Sequence, residues 1–200
     1  MNNNAIQTIL LDVGGVLLTN GWDHHAREKA IRLFSLEQDS LEIAKRHEYI
    51  FPLLEMGKVS LKEYIEFSFF YKKREFTQDN LLNFIYQQSQ PLQNNLDFFL
   101  DLKKKNKYKI AILSNEGKEL VEYRMATFPL HEIGDFFLYS CFFKLRKPDF
   151  EFYKLAISIT QTPLNHILYI DDRKELIDAA SMIGLKGHVF KTVKNLNFLY

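Results

Sequence analysis

Four short stretches of the chain carry residue types that could do chemistry together. They are LLDVGGVL (10–17) with Asp12, ILSNEGK (112–118) with Ser114 and Asn115, RKPD (146–149) with Lys147, and ILYIDD (167–172) with Asp171 and Asp172. Carboxylates gathered at one place repel unless one is protonated or a cation lies between them. Oxygen-only donors with open positions suit Mg²⁺, which shares such sites with phosphate. A lysine, a serine hydroxyl and helix N-terminal N–H groups suit the phosphate. A carboxylate facing that phosphate can act as a nucleophile and form an aspartyl-phosphate. Each stretch alone has a plainer reading. Asp is common in turns, Asp171-Asp172 could open a helix, Ser114-Asn115 could cap the next helix, and Lys147 could be plain surface. Their order along the chain separates the two readings.

That order is set by the elements that must carry them. Ile6–Val13 reads as a buried strand ended by Gly14-Gly15. A long region without strands follows, with helices expected at Asp23–Phe34, Leu41–Leu54, from a capping box at Ser60–Glu63 to about Lys73, and at Thr77–Gln88. Pro91 ends that region. Helices then alternate with strands. The helices are Leu92–Asn106, Gly117–Ala126, Phe150–Thr160 and Glu175–Ile183. The strands are Tyr108–Leu113, Phe136–Ser140, His166–Ile170 and Gly187–Phe190. Alternation of this kind predicts an α/β fold, a three-layer, Rossmann-like parallel-sheet core, with the early helices inserted after the first strand. The expected division is a core of 1–18 and 89–200 and a helical cap of 19–88. Ligands of such sheets bind where loops leave the carboxyl ends of the strands. Each of the four stretches lies at such an end or in the loop beyond it.

The set resembles the haloacid dehalogenase superfamily of aspartate-nucleophile hydrolases over essentially the whole chain. Asp12-Val13-Gly14-Gly15-Val16 fits its first motif, Ser114-Asn115 its second, Lys147-Pro148-Asp149 its third and Asp171-Asp172 its fourth. The helical insertion fits the family's small cap after the first strand. The resemblance implies Asp12 as nucleophile, and Ser114, Asn115 and Lys147 around the phosphate. It implies Mg²⁺ held by the Asp12 carboxylate, the Gly14 carbonyl and the Asp171-Asp172 pair, Asp172 before Asp171. Dehalogenases of the superfamily attack carbon without a metal and lack the paired carboxylates, so the pair argues for phosphoryl chemistry. The sequence also looks like the subgroup containing sugar-phosphate phosphatases, some of which carry glycine where Gly14 stands.

Gly14 departs from the usual Asp-x-Asp of the first motif. The second Asp there donates a proton to the leaving oxygen and then activates water. A glycine keeps its backbone carbonyl for the metal but supplies no acid. Two glycines also give the turn access to φ > 0 and to close approach by a ligand. Either the substrate has a good leaving group, such as an anomeric or acyl phosphate, or another residue reaches in. Asp23, His24, His25 and Glu116 are the candidates. Trp22 reads first as packing.

Composition bounds the rest. The chain has 200 residues, a formal net charge of +1 and 46% hydrophobic residues, enough for a substantial core. Near-neutral charge gives no electrostatic case for nucleic acid or acidic membranes. The run Lys103, Lys104, Lys105, Lys107 and Lys109 reads as a solvated helix end. Cys141, the single cysteine, reads as a buried hydrophobe. MNNNAIQTILLDV lacks a basic n-region and no apolar run is long enough to span a bilayer, so a cytoplasmic protein is the expectation. The expected partner is a small phosphorylated metabolite. Oligomeric state is not legible. A non-catalytic phosphometabolite-binding protein and a 2-haloacid dehalogenase are the rival readings.

Overall fold

The computed structural model describes residues 5–199, so the first four residues of the leader reading lie outside the described residues. The strands are β1 (Thr8–Leu11), β2 (Lys109–Ser114), β3 (Phe136–Tyr139), β4 (Ile167–Asp171) and β5 (Lys186–Val189). Between β1 and β2 run α1 (His24–Leu33), α2 (Ser40–Glu55), α3 (Leu61–Ser68), α4 (Gln78–Gln87) and α5 (Gln93–Lys104). Then come α6 (Lys118–Thr127), α7 (Leu130–Ile133), α8 (Ser140–Phe143), α9 (Phe150–Thr160) and α10 (Lys174–Ser181).

All strand pairings are parallel, in the order β3-β2-β1-β4-β5. β1 is central, with Leu11 level with Ile112 on β2 and Ile170 on β4. Side chains alternate across the sheet, and the alternation builds two cores. Ile9 and Leu11 pack with Phe99 of α5 and Val121 of α6. Leu10 packs on the opposite face with Phe152 of α9 and Ile177 of α10. The result is the expected three-layer α/β architecture. Because β1, β2 and β4 are neighbours, their carboxyl ends share one edge of the sheet.

Helices α1 to α4 gather a third apolar cluster around Trp22, Ile43, Leu61, Tyr64 and Ile85, to which Leu120 of α6 contributes. The predicted capping box at Ser60 is present, with Glu63 N donating to Ser60 Oγ at 3.2 Å and Ser60 N donating to Glu63 at 2.7 Å. The chain leaves β1 and returns to α5 along adjacent paths. Leu18 bridges Pro91, Thr19 N donates to Gln90 O at 2.9 Å, and Thr19 Oγ1 donates to Gln88 O at 2.6 Å.

Several boundaries differ from the sequence reading. The helix opened by Ser60 stops at Ser68 rather than near Lys73, because Arg74 Nε takes the Phe69 carbonyl at 2.6 Å that a further turn would need. The first strand is shorter than Ile6–Val13. The chain curls back after Asp12, with Leu17 N and Leu18 N both donating to Val13 O. The third strand ends at Tyr139 and Ser140 opens α8. Cys141 is buried and free there, as expected. Lys103 and Lys104 lie in the last turn of α5, and Lys103 pairs with Asp135. No helix among the described residues is long and apolar enough to cross a membrane.

Candidate active site

Asp12 is the first residue beyond β1, held by its N–H to Ile170 O at 3.0 Å. Its carboxylate is buried and meets Lys147 Nζ at 2.8 Å. The same ammonium reaches Asp171 Oδ2 at 2.6 Å. Lys147 is 1% exposed, so it is a fully desolvated cation whose charge is matched on two sides. Burial disfavours the lysine cation, but the two carboxylates outweigh that and hold it protonated. Burial pushes Asp12 up to about 6, with Lys147 opposing and Asp171 adding to the rise. Asp171 moves the other way. Burial raises it, but the attraction of Lys147 and hydrogen bonds from Lys147, Tyr169 and Arg173 N bring it below its usual value.

Asn115 places the lysine. Its Oδ1 accepts Lys147 N at 2.8 Å and its Nδ2 donates to Lys147 O at 2.8 Å, so one side-chain amide reads the backbone of a residue 32 positions away. Both ends of the Asn115 amide are thus engaged with the Lys147 loop. Ser114, the last residue of β2, is buried and lines the same cavity as Asp12 and Lys147.

Asp12, Asp171 and Asp172 offer oxygens that all lie within 4.8 Å of one another. Their fit to a divalent cation can be tested on the hydrogen bonds. Asp171 has both oxygens engaged, Oδ2 with Lys147 and Tyr169 OH, Oδ1 with Arg173 N at 2.9 Å. Asp172 is different. Its Oδ2 accepts from Asn20 Nδ2 at 3.3 Å, while its Oδ1 is buried without a hydrogen-bond partner. A buried carboxylate oxygen left unpaired is costly unless a cation meets it. The donor set therefore suits an oxygen-seeking cation, with Asp12 and Asp172 as the open carboxylates.

The two glycines have different jobs. Gly15 has φ 69°, and a Cβ there would stand 2.1 Å from Asp172 Oδ2. It gives the turn its left-handed conformation and Asp172 its close approach. Gly14 is outside the positive-φ region. A Cβ on it would stand 2.8 Å from Asn20 Oδ1. The side chain of Asn20 thus borders the space that an aspartate at 14 would enter.

Among the candidate replacements for that aspartate, Glu116 is bound to Arg124 in a buried ion pair. Burial pushes it up to about 7, with Arg124 opposing. Arg124 also donates to Ser89 Oγ at 3.0 Å and Thr19 O at 3.2 Å, so this pair ties β2's loop to both chain crossings. Asp23 caps α1, accepting Ala26 N at 2.8 Å. His24 and His25 are 73% and 80% exposed and face Glu28 at 3.0 and 3.8 Å. All four line the cavity mouth or wall, yet each has a structural engagement.

The cavity has a volume of about 470 Å³. Its lining adds residues that the sequence reading did not single out: Asn20, Arg27, His47, Phe51, Glu55 and Arg173. Glu55 pairs with Arg146 at 2.6 Å. Trp22 also lines the cavity, but it is 3% exposed and belongs to the helical cluster, in line with a packing role.

The fold is shared with solved structures. The HAD family enzyme bt-2542 from Bacteroides thetaiotaomicron superposes with a TM-score of 0.80 at 18% identity, covering 98% of this chain and 100% of that one, in a complex with magnesium and inorganic phosphate. A predicted HAD-like family hydrolase from Porphyromonas gingivalis gives 0.72 at 18% identity over 92% and 90%. The L-2-haloacid dehalogenase from Xanthobacter autotrophicus gives 0.64 at 18% identity over 91% and 76%. No curated protein matches the chain in sequence. Residues 6–184 match the haloacid dehalogenase-like hydrolase family, and the chain belongs to that family of hydrolases.

Proposed function

We propose that this hydrolase cleaves a small phosphomonoester, a sugar phosphate among the candidates, through an aspartyl-phosphate on Asp12. The observation that carries the reading is Lys147 Nζ set between Asp12 and Asp171, with an unpaired oxygen of Asp172 beside them and Ser114 in the same cavity. An Asp12 oxygen attacks phosphorus, the bond from phosphorus to the alcohol oxygen breaks, and the departing oxygen takes its proton from solvent water. Water then attacks phosphorus and gives up a proton to solvent, the bond between phosphorus and the Asp12 oxygen breaks, and phosphate and the Asp12 carboxylate are released. Lys147 keeps Asp12 anionic in a site whose burial favours the acid, and it stabilises charge on the transferring group. Ser114 holds a phosphate oxygen. Asn115 acts by fixing Lys147. Asp12, Asp172 and the Gly14 carbonyl would hold Mg²⁺, with Asp171 holding Lys147 first and the metal second. Bound there, Mg²⁺ supplies positive charge to the phosphate oxygens. The magnesium and phosphate complex of the Bacteroides enzyme supports this assignment.

We further assign residues 19–88 as a cap over a core made by 1–18 and 89–200. Its role is to exclude water and select the leaving group. The test is turnover of p-nitrophenyl phosphate and acetyl phosphate. Activity that requires Mg²⁺ and vanishes in folded Asp12→Asn is expected. Phosphate binding without turnover would replace the reading with a regulatory one, and halide release from a 2-haloacid without Mg²⁺ with dehalogenation.

A further inference from the structure

The helical wall of the cavity carries a chain of polar groups that the reaction at Asp12 leaves unused. Trp22 Nε1 donates to Tyr64 OH at 2.8 Å. Tyr64 OH also meets His47 Nδ1 at 2.9 Å, a contact in which the hydroxyl donates when the imidazole carries its proton on Nε2. Tyr64 is fully buried and His47 is 9% exposed, so this relay is sheltered from water. With Nδ1 accepting, the proton of the neutral imidazole sits on Nε2, the nitrogen left for a molecule in the cavity that His47 lines. The His47 ring also packs at a tilt of 34° against Phe51, centroids 4.4 Å apart, which restricts its rotation.

Arg27 joins the same group. Its Nη1 donates to Trp22 O at 3.1 Å, and it lines the cavity half-buried. Its charge bears on His47, and together with burial it holds that imidazole neutral. Arg27 forms no ion pair among the described residues, whereas Arg124 pairs with Glu116 and Arg146 with Glu55. The charge of Asp23 acts on Arg27, but the Asp23 carboxylate is itself engaged as the cap of α1. A half-buried guanidinium with no ion-paired carboxylate, beside an imidazole that can present Nε2–H, offers donors to an anion in the cavity.

We propose that Arg27 and His47 form a second recognition site, which binds an anionic oxygen group on the leaving portion of the substrate. Resting on the phosphatase reading above, this narrows the substrate to a phosphate ester carrying a carboxylate or a second phosphate. Arg27 supplies charge and paired N–H groups, and His47 Nε2–H a single directed donor. Tyr64 and Trp22 are positioning residues that act through His47.

The experiment uses binding, so it does not depend on turnover. Folded Asp12→Asn protein with Mg²⁺ is titrated calorimetrically with two matched pairs. These are 3-phosphoglycerate against glycerol 1-phosphate, and fructose 1,6-bisphosphate against fructose 6-phosphate. One anionic member should bind about tenfold to hundredfold more tightly than its partner, the range of one or two charge-assisted hydrogen bonds. The pair that responds identifies carboxylate or phosphate. Adding Arg27→Gln should erase the preference, Arg27→Lys should keep part of it, and His47→Phe should reduce it. Nitrogen NMR should find His47 protonated on Nε2 alone from pH 5 to 8. No preference in either pair, or a preference that survives Arg27→Gln, overturns the proposal, and the opposite tautomer removes His47 from it. A protein that binds with this preference yet hydrolyses no phosphate ester would refute the phosphatase reading alone.

Discussion

Gly14→Asp tests what the missing side chain costs. The backbone at 14 is not left-handed, so an L-residue adds no torsional strain there. The obstacle is Asn20 Oδ1, 2.8 Å from the new Cβ, the end of a side chain that can swing away. Swinging away loosens its 3.3 Å bond to Asp172, a loss of about 0.5–1.5 kcal/mol. Replacing glycine recovers about 0.4–1 kcal/mol by restricting the unfolded chain. The net change is therefore about 1 kcal/mol or less, roughly 2–4 °C in melting temperature at this chain length. The folded variant can then be assayed with aryl and alkyl phosphates whose leaving groups span a wide range of acidity. Wild type should depend steeply on leaving-group acidity. The carboxylate at 14 should flatten that dependence, raising the poorest leaving groups by up to ~10²–10⁴-fold. Adding Asn20→Ala should relieve the crowding without removing the gain. Equal dependence in wild type and a folded Gly14→Asp would falsify the missing-acid explanation, and the proton donor would have to be sought on the helical wall.

Lys147→Met should leave Asp12 and Asp171 buried without their shared cation and cost about 3–5 kcal/mol in urea unfolding. In the same variant, Asp12→Asn should recover part of that loss, because one uncompensated carboxylate is gone. Asp172→Asn should raise the Mg²⁺ concentration for half-maximal activity, read by titrating the metal at fixed substrate, since it removes the charge of the acid with a free oxygen. Metal-free protein should lose stability between about pH 4.5 and 7. Asp12 and Glu116 are both raised in the fold, to about 6 and about 7, so the native state holds protons that the unfolded chain has released. Urea midpoints across that window should fall as pH rises, and Glu116→Gln should remove part of the slope.

The sheet and its catalytic edge were legible because the information is local. Apolar runs such as Ile9 to Leu11 and Ile110 to Leu113 end abruptly at Asp12 and at Ser114-Asn115, and parallel packing then forces those ends together. Boundaries were less legible, because side chains distant in sequence set them, as Arg74 does at the end of α3. Asn115 shows the same limit inside the site. The resemblance set it around the phosphate, and the fold adds a contact to a backbone 32 residues on that spacing does not show. Glu116 looked free for acid–base work until folding brought Arg124 against it. The Trp22, Tyr64 and His47 relay joins the loop before α1 to α3 and α2 and has no signature in spacing. Arg27 was hidden differently. It sits in a helix rich in charge, and its place in the cavity wall without an ion-pair partner among the described residues shows only in the fold.

The crossing of the chain between Leu18 and Pro91 has a consequence for how this protein can change. The two backbone paths are zipped together by the bonds of Thr19 to Gln88 and Gln90, and Arg124 grips Thr19 and Ser89 from the core side. Whatever is threaded through that gate begins and ends at the same point in space, so the sheet does not sense its size. Each doubling of a flexible insert would add only about 0.6 kcal/mol of closure entropy. The gate is thus a socket. Helices can be lengthened, exchanged or pared away there while β1 keeps its neighbours and Asp12 its place, so the wall of the cavity can be changed without rebuilding the sheet edge that carries Asp12.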